Sequence, residues 1–149
     1  MTAYEQLAPV EKLLREIANT DTDEKKPNVR MSDNNYIQFV KCRNKVTIDF
    51  EVVTKDTSPT IWGVNILVTA DLSLMATSQL FFLEMYDFTD INHVITFIKN
   101  MDLMNMCNTL LNLHYQKDEH GNNTVNPEEA YIIPKLENEL ALLAGLAKV

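Results

Sequence analysis

The sequence predicts an α+β protein: an N-terminal helix, an antiparallel meander of about four strands, then two to three C-terminal helices packed on the sheet. Three observations carry this. Apolar residues recur at helical spacing near the N-terminus and again after residue 89, whereas the residues between them alternate with the two-residue period of a strand. A run of strands followed by a run of helices points to a sheet with helices on one face. The 149 residues are 46% hydrophobic, enough for a single domain whose core needs no disulfide or metal. The expected division is 1–18 helix, 19–32 polar linker, 33–88 meander and 89–149 helical part.

In the first segment Leu7, Val10, Leu13, Leu14 and Ile17 form one apolar stripe. Thr2 and Glu5 have capping-box spacing, while Pro9 offers an alternative helix start. Residues 19–28, with mixed charges and Pro27, read as a flexible loop or tether. Residues 35–42 alternate weakly. A short turn at 42–45 comes next, with Asn44 suited to a left-handed conformation. Residues 45–53 alternate cleanly, with Val46, Ile48, Phe50 and Val52 inward. Residues 61–70 put Trp62, Val64, Ile66, Val68 and Ala70 on one side. Residues 72–88 read as a strand covered on both faces, with a helix as the alternative.

After Thr89 or Asp90 the period becomes helical, with Ile91, Val94, Ile95, Ile98 and Met101 inward, and one helix, kinked or straight, is expected to about Tyr115. Residues 116–126 read as loop. Asn126, Pro127 and the acidic pair Glu128–Glu129 signal a helix start, and Pro134 is expected to break or kink that helix. The last segment carries Leu136, Leu140, Leu143 and Ala147 on one stripe, with Leu142 and Leu146 widening it almost all round. A helix that apolar docks into a core or a neighbouring subunit.

The charges are uneven. Residues 1–55 hold nine basic and nine acidic residues; residues 56–149 hold four and twelve, so the whole net charge of −8 lies there. Within 60–115 only Asp71, Glu84, Asp87, Asp90, Lys99 and Asp102 are charged, well below the usual density of about a quarter. So charge-poor a surface suggests cover by another chain; polar filling by the 15 Asn is the plainer alternative. The acidic balance argues against general nucleic-acid binding. Arg30, Lys41, Arg43 and Lys45 beside Tyr36 and Phe39 resemble a small single-strand groove, against which edge lysines that block aggregation are the plainer explanation. Cys42 and Cys107 make no metal or redox spacing and read as reduced thiols in a cytoplasmic setting. No signal peptide is expected from the N-terminal residues, and no apolar run reaches the roughly 18 residues of a membrane span.

Residues 101–115 crowd three Met, Cys107 and His114 together. Met104, Cys107, Leu111 and His114 share a helix face, but 10 residues of helix span about 15 Å, too far for one ion. The face reads as core packing. Residues 118–129 have the length of a calcium loop, with Asp118 at position one, Asn122 at five and Glu129 at twelve. His120 at three and Pro127 at ten depart from it, so these three remain the only metal candidates and no cofactor is expected. Asp49 and Glu51 share a strand face, as paired catalytic carboxylates would, but a solvated outer face explains them equally. There is no nucleophile elbow, phosphate loop or helical zinc pair, and the chain has only three Gly.

The strand-then-helix order and the acidic balance resemble small secretion chaperones in layout. Layout alone does not give function. The expected role is a non-enzymatic, oligomeric assembly protein, in a virion, a phage or a secretion machine, acting on itself or another protein. Its interface is expected to use Leu136, Leu140, Leu143, Leu146, Trp62 and Phe81. The alternatives are an acidic inhibitor of a basic, nucleic-acid-binding surface and a small holding chaperone.

Overall fold

A computed structural model describes residues 2–32, 35–54, 61–73 and 76–149. Helix α1 (Ala3–Asn19) begins at Thr2, whose Oγ1 accepts the Glu5 N–H at 3.2 Å. Pro9 therefore lies inside the helix, on its exposed side, and does not start it. Leu7, Val10 and Leu14 bury the opposite face. Five strands come next: β1 (Asn28–Ser32), β2 (Tyr36–Arg43), β3 (Val46–Val53), β4 (Trp62–Ser73) and β5 (Ala76–Phe88). They form one antiparallel meander in the order β1-β2-β3-β4-β5. The sheet has one strand more than the alternation suggested. The extra strand comes from the end of the segment read as a polar linker, because Val29 is buried against α1 while its neighbours pair with β2.

The β2–β3 hairpin closes on Asn44 and Lys45, which have φ of 53° and 66°. With Arg43 opposite Val46, this is the two-residue loop whose twist matches the strands. Val46, Ile48, Phe50 and Val52 are buried, as the period-two pattern requires. The segment that was open between strand and helix is strand β5. Its ladder to β4 is regular from Val64–Met85 to Val68–Phe81, with register shifts on either side. Among its described side chains one face is covered and the other open: Phe81 is 5% exposed and Phe82 44%. The expectation of two covered faces is corrected, because the helices all lie on the other side of the sheet.

Residues 91–111 form two helices. Helix α2 (Ile91–Asn100) is capped by Asp90 and α3 (Leu103–Leu111) by Asp102, whose carboxylates accept backbone N–H groups at 2.8 and 3.1 Å. Met101 is extended between them, so Asp102 ends one helix by starting the next. The expected loop contains a small hairpin, β6 (Tyr115–Lys117) and β7 (Asn123–Val125). Helix α4 (Ile132–Ala147) begins later than the Asn126–Pro127 signal. Asn126 Oδ1 accepts the Glu128 N–H and so caps a turn that feeds the helix. Pro134 neither breaks nor ends α4. It occupies the first turn, where its missing N–H would have had no helical partner.

Helix α1 lies against β1 and β2, α2 against β4 and β5, and α4 against α2 and β5. One buried apolar cluster runs from Ala3 to Ala147 through all these elements. The result is an α+β fold with a helical layer on one face of a meander sheet. Among the described residues no helix is long and apolar enough to cross a membrane.

Candidate protein interface

Strand parity divides the chemistry of the sheet. Ile37, Phe39, Lys41 and Arg43 of β2 face the helices; Tyr36, Gln38 and Val40 face away. The basic cluster around residues 30–45 is thereby taken apart. Phe39 is fully buried and Lys41 is 1% exposed. Lys41 Nζ donates to Asp21 Oδ2 at 2.6 Å, Asp23 Oδ2 at 3.0 Å and the Lys25 carbonyl at 2.8 Å. Burial alone would push the Lys41 pKa down; the hydrogen bonds and charges of Asp21 and Asp23 outweigh it and hold it above the ordinary value. Asp23, bonded first to Lys41 and then to Arg43, is held below the usual carboxylate range. Arg43 also donates to Asn112 Oδ1 at 2.7 Å, tying the β2–β3 hairpin to the end of α3. These cations are structural, and the segment read as a tether is held in place by one of them.

The outer face of the sheet carries the paired carboxylates. Asp49 accepts from Gln38 Nε2 at 2.7 Å, and Glu51 accepts from Asn65 Nδ2 at 2.9 Å. Burial, then the Glu51 charge, push the Asp49 carboxyl up to about 6 against the opposing Gln38 hydrogen bond. Asp49 Oδ1 and Asn65 Oδ1 are buried without a hydrogen-bond partner. The face is therefore not a freely solvated one. Val40, Asp49, Leu67 and Phe82 form one cross-strand row, and Gln38, Glu51, Asn65 and Glu84 the next.

The metal candidates are engaged elsewhere. Asp118 Oδ1 accepts the N–H groups of His120 and Asn122, both at 2.9 Å, and closes the β6–β7 turn. Gly121 takes φ 79° there. Glu129 accepts the His114 N–H at 2.7 Å and sits 3.1 Å from His114 Nδ1. Those His114 contacts hold Glu129 below its ordinary pKa. Asn122 is exposed at the turn. Among the described residues no group of three His, Cys, Asp or Glu side chains is arranged to hold a metal ion. Met104 and Cys107 are core, burial pushes the Cys107 thiol up to about 12, and His114 lies beyond the end of α3 and is exposed.

The expected interface residues separate into two groups. Trp62 is 1% exposed, Phe81 5% and Leu140 3%, so all three belong to the chain's own core. Trp62 and Phe81 fall on the inner parity of their strands, and Leu140 lies on the buried side of α4. Leu136 and Leu143 are half-buried and line a groove of about 490 Å³ between α3 and α4, together with Met106, Thr109 and Glu139. Leu146 is 59% exposed.

The apolar residues that do reach the surface are mostly others. Tyr131 is 68% exposed, Leu142 65% and Val149 fully, with Phe82 and Ile61 on the sheet side. Leu142 and Leu146 stand one turn apart on α4, at i and i+4. The signal for them was present in the sequence as the second, widening stripe of the last helix. Phe82 had no such signal, since Phe81 and Phe82 are interchangeable until the β4–β5 register is known.

Compared with protein-family models, curated proteins and solved structures, the chain matches none of them.

Proposed function

We propose that this chain is a non-enzymatic assembly subunit that works through protein–protein contacts, first of all with copies of itself. The observation that carries the proposal is the apolar strip of α4. Leu142 and Leu146 stand in water on a helix whose other side, Leu140, Ala144 and Ala147, is already packed. Neighbouring exposed leucines on one helix face support an interaction site there. The open outer face of the sheet around Phe82 adds to it.

Light scattering at low and high salt tests the proposal. A single oligomer that persists at high salt is expected, because apolar contacts are not screened. Replacing Leu142 and Leu146 together by Glu should lower the mass while leaving the far-ultraviolet circular dichroism unchanged. A monomer under all conditions would sink the proposal. Steeply salt-dependent capture of a basic protein would then favour the acidic-inhibitor alternative, and dye binding by the free chain the holding-chaperone one.

A further inference from the structure

The two edges of the sheet are built differently. Edge β1 has five residues, comes directly after Pro27, carries the exposed Arg30 and lies against α1. Short strands, prolines and cations are the ordinary protections of an edge. Edge β5 has 13 residues and no Pro, Lys or Arg. From Phe81 to Met85 it hydrogen-bonds as a strand only to β4 among the described residues. Its central part, Phe81–Met85, is the regular stretch between two register shifts, straight enough to accept a further strand.

Resting on the assembly proposal above, we infer that β5 pairs with β5 of a second copy, antiparallel across a two-fold axis near Phe82. The five strands of each chain would then form one continuous sheet. Three features fit a second copy in place of another partner. With the axis at Phe82, the most exposed aromatic of β5 meets its own image and Glu84 lies opposite Leu80, the residue that the register shift at Val68/Thr69 leaves unpaired with β4. The two Glu84 side chains stand about 13 Å apart along the strands, beyond a Debye length at physiological salt. Like charges therefore never face each other, although the strand's charges are all acidic. The protected β1 edge, in turn, stops the pairing at two chains.

The second strand would also run into a cleft that the single chain leaves open. Glu84–Asp87 form one wall and Ala141, Ala144, Gly145 and Lys148 of α4 the other, around about 500 Å³. Gly145 lies within a helix, where Ala would be more stable. A Cβ at this position would meet nothing within 4 Å. Nothing in the chain itself calls for glycine there; a strand laid against the helix does.

The test is a disulfide. In a Cys42→Ser background, Phe82→Cys places two thiols across the axis, with side-chain origins about 5 Å apart. Mild oxidation should convert most of the chain to a cross-linked dimer, whereas Gln116→Cys on the exposed β6 strand should not cross-link. Hydrogen exchange on the unaltered chain gives a second measure that needs no folded variant. Amides of residues 80–85 that point away from β4 should lose protection when the protein is diluted below its dissociation concentration. An oligomer by light scattering with neither the cross-link nor the change in protection overturns the β5 pairing and leaves the assembly proposal standing. A monomer overturns both. Gly145→Leu, which fills the cleft, should weaken the dimer at least tenfold; unchanged association would remove α4 from the interface.

Discussion

Lys41 and Asp21, 20 residues apart in sequence, form a buried ion pair of 2.6 Å with side chains 1% and 3% exposed. All three ammonium protons have acceptors, since Asp23 and the Lys25 carbonyl take the other two. The loop after α1 is fastened to the inner face of the sheet through this one lysine. Replacing Lys41 by Met strands Asp21 as a buried, unpaired charge, and the expected loss is about 3–5 kcal/mol. Urea denaturation measures it. The double variant Lys41→Met with Asp21→Leu should recover most of the loss. A single variant within about 1 kcal/mol of the parent would mean the loop is not held by this pair.

Asp49 makes a prediction about pH. Its folded pKa, about 6, lies above the unfolded value of about 3.9. Between those values the folded state holds a proton that the unfolded state has lost. The contribution of Asp49 to stability therefore falls as pH rises through that window, and its ionised form is a net cost at neutral pH. Asp49→Asn should stabilise the protein at about pH 7.5 by about 1 kcal/mol, a figure already discounted for the half-exposed side chain. At about pH 4 it should change little. Urea midpoints at the two pH values measure the difference, and a variant less stable than the parent at the higher pH would contradict the assignment.

Gly63 lies under the Tyr86 ring on the outer face of the sheet. A Cβ there would run into the ring, and it would also sit 3.2 Å from Val53 Cγ2. Gly63→Ala must push the ring out of place, with an expected cost of about 1–3 kcal/mol. Thermal unfolding should show a lower midpoint, and Tyr86→Ala in the same chain should relieve part of it. Two independent, additive losses would show that the glycine answers to something other than this ring.

The two thiols should react very differently. Cys107 is fully buried with its pKa pushed up to about 12, so at about pH 8 roughly one molecule in ten thousand is thiolate. Cys42 is half-buried beside the Thr47 hydroxyl, 3.3 Å away. A thiol-specific chromogenic reagent should titrate one cysteine per folded chain, with the second appearing only on unfolding. Simultaneous reaction of both would mean that the α3 face opens readily.

The α+β class, the clean alternation of β3 and the helical period of α1, α2 and the last helix were legible in the residues themselves. Periodicity is a local property, and burial on one face writes it directly into the sequence. The break between α2 and α3 was also written there, in Asp102, but a capping aspartate inside an apolar run is easily read as an ordinary surface residue. The strand β1 was not legible, because five residues with one buried valine carry too little alternation. Its existence depends on pairing with β2 and on cover from α1.

The interface residues divide along the same line. That the last helix is apolar nearly all round could be read from its leucines. Which leucines stay outside could not, because that depends on the angle at which α4 meets α2 and β5. Leu140 went into the core, while Leu142 and Leu146 were left in water. Phe81 and Phe82 exchange roles with a one-residue change of register, and the β4–β5 bulges decide it. Lys41 shows the limit most plainly. A strand lysine reads as a surface cation, and only the return of the chain at Asp21 and Asp23 makes it a buried anchor. Local sequence sets periods and caps; burial of a particular side chain is settled by which distant segment arrives to cover it.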